Sequence, residues 1–407
     1  MCGRHNESEK GDLMNSVLSG TIMAREAARR LLAGLALAVP AMLLAQPVAA
    51  HDEAAGSVPA IVVESANSAS LPDLVEKLRS ERLVYVGETH TALSDHMLQL
   101  DVLRGMAAQP GELVLGVEWF QARFQPALDD YIAGRIGEAE MLRLTEYYDR
   151  WRFDYRLYRP IMQFARDNAI PVIALNASRE LTSAIGKLGI NDLPATLRQQ
   201  LPDSYDVSDK AYEAILRDVF VAHGRDEDGA FQRFVEVQLT WDESMAQRAA
   251  EFLNGHADGR ILILAGNGHI GGRSGIPNRV TRRTGIRGVT VATYNPTIRN
   301  FDNSDYFVLT PQQQLPPAGL MRVMLDTKDE GVFIRGFTPN SPAKKAGVKK
   351  GDRLLTINGM PIRYFTDVKI AMMDQPPGSE VEITLQRDGL FAGERTLSMR
   401  VALVGDS

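Results

Sequence analysis

The 407-residue chain reads as α/β: a mostly parallel sheet with helices on both faces, followed by a small β-rich domain. Three observations predict this. Short apolar runs alternate with helical patterns through most of the chain. A proline- and glutamine-rich joint, Pro311-Gln-Gln-Gln-Leu-Pro-Pro-Ala-Gly319, then interrupts the pattern. After it come short alternating strands and turn dipeptides.

The elements follow in order. Arg82–Gly87 is an apolar strand. A helix from Ser94 to Ala108 places Met97, Leu98, Val102 and Met106 on one face. Leu113–Val117 is a second strand. Helical patterns occupy 124–132, 138–147 and 157–168, and Pro171–Leu175 is a third strand. Helices fill much of 180–254, notably Phe231–Leu253. Ile261–Ala265 and Gly288–Thr293 complete the set of strands. Apolar strands separated by helices give a parallel sheet buried on both faces. Beyond the joint, Ser341-Pro342 opens a short helix, because Ser caps and Pro suits the first helical position. Arg353–Ile357 is a strand, Asn358-Gly359 a hairpin turn, Phe365–Met373 a helix and Val381–Gln386 a strand. The expected organisation is a signal segment at 1–50, a ligand domain at 51–305, a joint at 306–319 and a small domain at 320–407.

Composition excludes several functions. The 44% hydrophobic, 24% charged chain is globular in character. Its net charge of −6 argues against nucleic-acid binding, which needs a basic surface. The single cysteine, Cys2, leaves no disulfide scaffold, iron–sulfur cluster or Cys-rich zinc site. Arg25, Arg29 and Arg30 precede an uncharged run, Leu31 to Ala45, and then Gln46-Pro-Val-Ala-Ala50. This is the pattern of a secretory signal cleaved after Ala50, with Met23 as a candidate start. The run is short for a membrane span, and no lipobox cysteine follows it. The expected compartment is the periplasm or outside the cell.

The strands deliver chemistry at their carboxyl ends, where open parallel sheets place ligands. The first runs into Gly87-Glu88-Thr89-His90, the second into Glu118-Trp119, the third into Asn176 and the fourth into Gly266-Asn267-Gly268-His269. Glu88, His90, Glu118 and His269 suit zinc, manganese or iron, and equally suit general acid–base catalysis. Each residue also has a structural use, as a helix cap, a satisfied turn histidine or an arginine partner. The segment Tyr147–Pro160 interleaves tyrosine and arginine. A flat anionic aromatic ligand fits that mixture: tyrosine can ligate haem iron, and arginine forks pair with carboxylates. The same pattern fits aromatics packed on the sheet with arginines facing solvent. Gln238, Trp241, Asp242 and Met245 share one face of a long helix, as pocket residues or as a buried hydrogen-bonded group.

Taken together, Val86-Gly-Glu-Thr-His90, Gly116-Val-Glu-Trp119, Asp154-Tyr-Arg-Leu-Tyr-Arg-Pro160, Trp241-Asp-Glu-Ser-Met-Ala246 and Ala265-Gly-Asn-Gly-His269 resemble the ChaN family of haem-binding proteins in the Tiki superfamily. The resemblance covers roughly residues 70–300. It implies haem binding and haem or iron acquisition. It points to Tyr155 or Tyr158 as iron ligand, with Arg159, His90, His269 and Asn267 as further cofactor-binding candidates. In the wider superfamily the two Gly-x-x-His motifs with acidic residues are linked to metal-dependent hydrolysis. That alternative assigns His90, His269, Glu88 and Glu118 to a metal such as zinc or manganese. Many family members are lipoproteins, which the missing lipobox sets apart from this chain.

Gly331-Val-Phe-Ile-Arg-Gly-Phe337 and the run Asn340–Gly359 resemble a bacterial PDZ domain. The resemblance implies capture of an extended C-terminal peptide or protein partner, with the carboxylate loop near Gly319-Leu320-Met321. A third reading makes the PDZ domain the one working part of a non-catalytic interaction protein. The oligomeric state is open, with a haem site shared across a homodimer axis as one arrangement.

Overall fold

A computed structural model describes residues 61–64, 68–222, 229–294, 304–389 and 393–405. The expected signal segment lies outside the described residues. The main sheet has eight strands in the order β2-β1-β8-β7-β3-β6-β4-β5. They are β1 (Ile61–Glu64), β2 (Ser68–Ser70), β3 (Leu83–Glu88), β4 (Leu113–Gln121), β5 (Val172–Asn176), β6 (Arg260–Gly266), β7 (Val289–Thr293) and β8 (Tyr306–Leu309). The six strands from β8 to β5 run parallel, and β1 and β2 add an antiparallel edge.

The central strands β3 and β6 are buried along their whole length, with successive residues facing two different cores. Val84, Val86, Leu262 and Leu264 face one core, with the helices Leu71–Leu78, Leu93–Ala107 and Arg159–Asp167. Leu83, Tyr85, Ile261, Ile263 and Ala265 face the other, under the helices Ala230–Gly255 and Ile276–Thr284. A strand without a polar face needs this sandwiching.

Two local expectations change. Ser94 is not the helix cap: the helix begins at Leu93 after Ala92, which makes no side-chain cap. Asp95 supports the preceding turn instead, accepting from the Thr89 N–H at 2.8 Å. The strand Tyr306–Leu309, expected within the joint, belongs to the main sheet, between β7 and β1. The joint therefore starts after it, and Leu315 within the joint packs on the ligand-domain core.

The second domain is an antiparallel sheet, β14-β13-β11-β10-β9, with β12 paired to β11. Its strands are β9 (Val323–Lys328), β10 (Gly331–Phe337), β11 (Arg353–Ile357), β12 (Met360–Pro361), β13 (Glu380–Gly389) and β14 (Gly393–Ala402). Ser341 caps the helix Pro342–Lys345 by accepting from the Lys344 N–H. Asn358 and Gly359 both take positive φ, as a two-residue hairpin turn requires. No helix among the described residues is long and apolar enough to cross a membrane.

Candidate functional site

The carboxyl ends of β3, β4 and β6 bring Glu88, His90, Glu118 and His269 together. Glycine makes the approach feasible. A Cβ on Gly87 would lie 2.1 Å from Asn267 Oδ1. A Cβ on Gly266 would lie 2.8 Å from His90 Cε1, 3.3 Å from His90 Nε2 and 3.6 Å from Glu118 Oε2. Only glycine lets these strand ends sit so close to the side chains they carry.

Two carboxylate-backed imidazoles meet there. His90 Nδ1 donates to Glu88 Oε1 at 2.7 Å. Its Nε2 forms no hydrogen bond among the described residues. The other oxygen of Glu88 pairs with His96 Nδ1 at 2.9 Å, and His96 Nε2 donates to the His90 carbonyl at 3.2 Å. Burial alone would raise the Glu88 pKa, but the charges and hydrogen bonds of His96 and His90 outweigh it, and the net shift is downward. Burial alone would lower the His96 pKa, yet Glu88 carries it upward. With donors on both ring nitrogens, His96 is a charged structural group.

The second imidazole, His269, donates from Nδ1 to Asp242 Oδ1 at 2.6 Å, and its Nε2 lies 3.5 Å from Glu118 Oε1. Asp242 also accepts from the Tyr212 hydroxyl at 2.5 Å. Burial opposes charge on His269, but Asp242 and Glu118 override it and set the pKa at about 9. Glu118 accepts from the Gly266 N–H at 2.7 Å, fixing β4 to β6 at the site.

The remaining sequence candidates are placed differently. Tyr155 and Tyr158 are fully buried. The Tyr158 hydroxyl donates to Glu88 Oε1 and to the His90 carbonyl, both at 3.3 Å. The Tyr155 hydroxyl is buried without a described partner. Burial raises both phenols well above their ordinary range, which disfavours phenolate. Arg159 is committed to Glu138 and Asp374, and Asn267 to Thr293. Trp151 and Phe153 do reach the site, each with its ring centroid 4.8 Å from that of His90. A cavity of about 460 Å³ opens one strand away, lined by Arg123, Asn176, Ser178 and Arg248; of the strand-end residues singled out in the sequence, Asn176 alone lines it.

Among the described residues, no group of three or more His, Cys, Asp or Glu side chains is arranged to hold a metal ion. The zinc or manganese alternative gains no support from this geometry. The carboxylate of Glu88 holds His90 Nδ1 and so fixes the angle of the imidazole ring.

The sequence offered Asp242 as a pocket residue or as part of a buried hydrogen-bonded group, and it is buried and hydrogen-bonded to His269; His96 went unassigned. Asp242 lay on the singled-out helix face, but its pairing with His269 depends on where that helix crosses the sheet. His96 follows His90 on a largely apolar helix and carried no motif.

A model of the haem-binding uptake family of the Tiki superfamily, ChaN, matches residues 74–280. The chain belongs to this family. A PDZ domain model matches residues 319–400. The magnetosome formation protease MamE of Paramagnetospirillum magneticum (strain ATCC 700264 / AMB-1) is 44% identical over 59 residues, 14% of this chain and 8% of that protein. The Arabidopsis thaliana chloroplastic protein RETICULATA-RELATED 5 is 23% identical over 241 residues, 54% of this chain and 32% of that protein. The chain thus spans less than a third of each of these relatives. A structure of cofacial haem binding to ChaN of Campylobacter jejuni aligns with a TM-score of 0.49 at 18% identity, over 62% of this chain and 97% of that chain.

In the PDZ domain, Gly319 N–H donates to the Gln375 carbonyl at 2.7 Å and Leu320 N–H to the Val404 carbonyl at 2.8 Å. Of the three expected carboxylate-loop residues, Gly319 and Leu320 thus spend their N–H groups on backbone carbonyls within the domain. Met321 is buried in the domain core.

Proposed function

We propose that this is an exported haem-binding protein serving haem or iron acquisition, with a PDZ domain that recruits a peptide or protein partner. One observation carries the site assignment. His90 is oriented by Glu88, has no described partner at Nε2, and stands beside the Trp151 and Phe153 rings. Haem, if bound here, would supply an iron that accepts a nitrogen or oxygen donor, and His90 Nε2 would be that donor. Glu88 then keeps the Nδ1 proton and the ring angle. His96 keeps Glu88 ionised. Trp151 and Phe153 offer flat apolar surface to a macrocycle. Tyr158 positions Glu88, and Tyr155 packs the wall behind it. The iron ligand expected from the resemblance is a tyrosine; the carboxylate-held imidazole of His90 supports His90 as the donor instead.

Variants decide between these ligands. His90→Ala should abolish the protein-bound Soret band, while Tyr155→Phe should keep it. The reverse pattern assigns the iron to tyrosine and refutes the His90 role.

A second reading, hydrolysis, is favoured by the closeness of His90 and Glu118 across Gly266. His90 would act as base and charged His269 would stabilise developing negative charge. Ester or peptide cleavage that survives chelator and is lost in His90→Gln would support it. Absence of cleavage by the full chain would remove it.

A further inference from the structure

The PDZ helix Phe365–Met372 has two working faces. Val368, Ala371 and Met372 pack in the PDZ core with Val323 and Leu325 of the edge strand β9. The opposite face is turned to the ligand domain. There Asp367 Oδ1 accepts from Arg143 Nε at 2.7 Å, and the Thr366 hydroxyl donates to Asp149 at 3.0 Å. Just beyond the helix, Asp374 accepts from Arg159 at 2.6 Å, and the Tyr148 hydroxyl lies 3.6 Å from the Met373 sulfur. Ile370 and Met373 are buried in the ligand-domain core itself.

All these contacts fall on, or flank, the segment Tyr147–Arg159. That segment carries Trp151 and Phe153, the rings against His90. It is also held at a cost. Glu146 at its start and Arg152 at its middle both adopt left-handed backbone, with φ of 50° and 73°. Tyr147 Oη, Trp151 Nε1 and Tyr155 Oη are buried without described hydrogen-bond partners. A strained segment with unsatisfied buried polar atoms persists only where its surroundings hold it. Here part of the holding comes from the other domain.

We propose that the docked PDZ domain is a latch: Asp367 and Asp374 are positioning residues that hold the Tyr147–Arg159 segment closed over His90. Releasing the PDZ helix frees the segment and uncovers His90 Nε2. The helix that closes the cover also shares the PDZ core with the edge strand β9, where an extended peptide would add, so the two sites share one movable element. This holds whether or not haem is the ligand.

The test uses the full chain and chemical access to imidazole. Diethyl pyrocarbonate is applied at neutral pH, and each histidine is followed by mass spectrometry. His256, with about half its side chain exposed, is the reference for a reachable imidazole. His96, fully buried, reports global opening. In the wild type His90 should react much more slowly than His256. Asp367→Asn with Asp374→Asn removes both charges but keeps shape. The amide oxygen that replaces one Asp367 carboxylate oxygen can still accept from the Arg363 and Tyr364 N–H groups, as the carboxylate does. The double variant should raise His90 reactivity by about 10-fold, within the usual range of coupling between sites, while His96 stays protected. Asp374→Glu, made on its own, should keep the slow wild-type rate. Equal His90 rates in wild type and double variant overturn the latch. So does a wild-type His90 as reactive as His256, or a rise in His90 matched by His96. Because no haem is added, loss of haem binding alone would refute the functional reading and leave this result standing.

Discussion

Asp242 determines what His269 can do. It holds the imidazole charged, with a pKa of about 9 in the folded protein. The folded value is above the unfolded one, so the stabilisation is fully present below about pH 6.5 and is lost as pH rises through 9. Asp242→Asn should bring the His269 titration down by more than one unit in an NMR pH series, and flatten the decline in stability over pH 6.5–9. An unchanged titration would show that Glu118 alone sets the charge. Gly266 is the other sensitive position. Gly266→Ala forces a methyl into His90 and should cost about 1–3 kcal/mol in denaturant unfolding. At this scale the sequence was only partly informative. Glu88, His90, Glu118 and His269 were visible because strand ends and glycines announce themselves. Asp242 was visible on its helix face but its pairing with His269 was not, and His96 carried no signal, since the crossing of each helix over the sheet fixes its partner.

The central strands carry the site and most of the core. Ile263 of β6 is fully buried under the long helix Ala230–Gly255, and Ile263→Ala should cost roughly 2–5 kcal/mol by urea titration. A loss under 1 kcal/mol would mean the sheet tolerates a hole beside the site. These strands were legible because a buried parallel strand is an unbroken apolar run. The strand Tyr306–Leu309 was not, because four residues beside a proline–glutamine joint carry no period of their own. The Tyr147–Pro160 segment misled in a specific way. Its tyrosines suggested ligands, but three of their hydroxyls are enclosed by one another and by the sheet. Its tryptophan and phenylalanine are what reach His90.

As a whole, the molecule is two domains that share a core boundary. Ile370 and Met373 complete the ligand-domain core from the PDZ side, and two arginine–aspartate pairs ring them. A chain ending at Thr310 should therefore melt several degrees below the full chain, at about 2–4 °C per kcal/mol lost. Identical melting of the ligand domain in both would show that the seam contributes nothing. The proline–glutamine run at 311–319 stands out in composition, but the seam between the domains does not. It depends on which face of Phe365–Met372 turns outward, and nothing in a helical period says what an outward face will meet. The most direct measurement is a haemin titration of the full chain followed by absorption, with total metal read on the same sample. Haem binding through His90 predicts a saturable, shifted Soret band in the wild type that is absent in His90→Ala. A spectrum indistinguishable from free haemin at equimolar protein would contradict it.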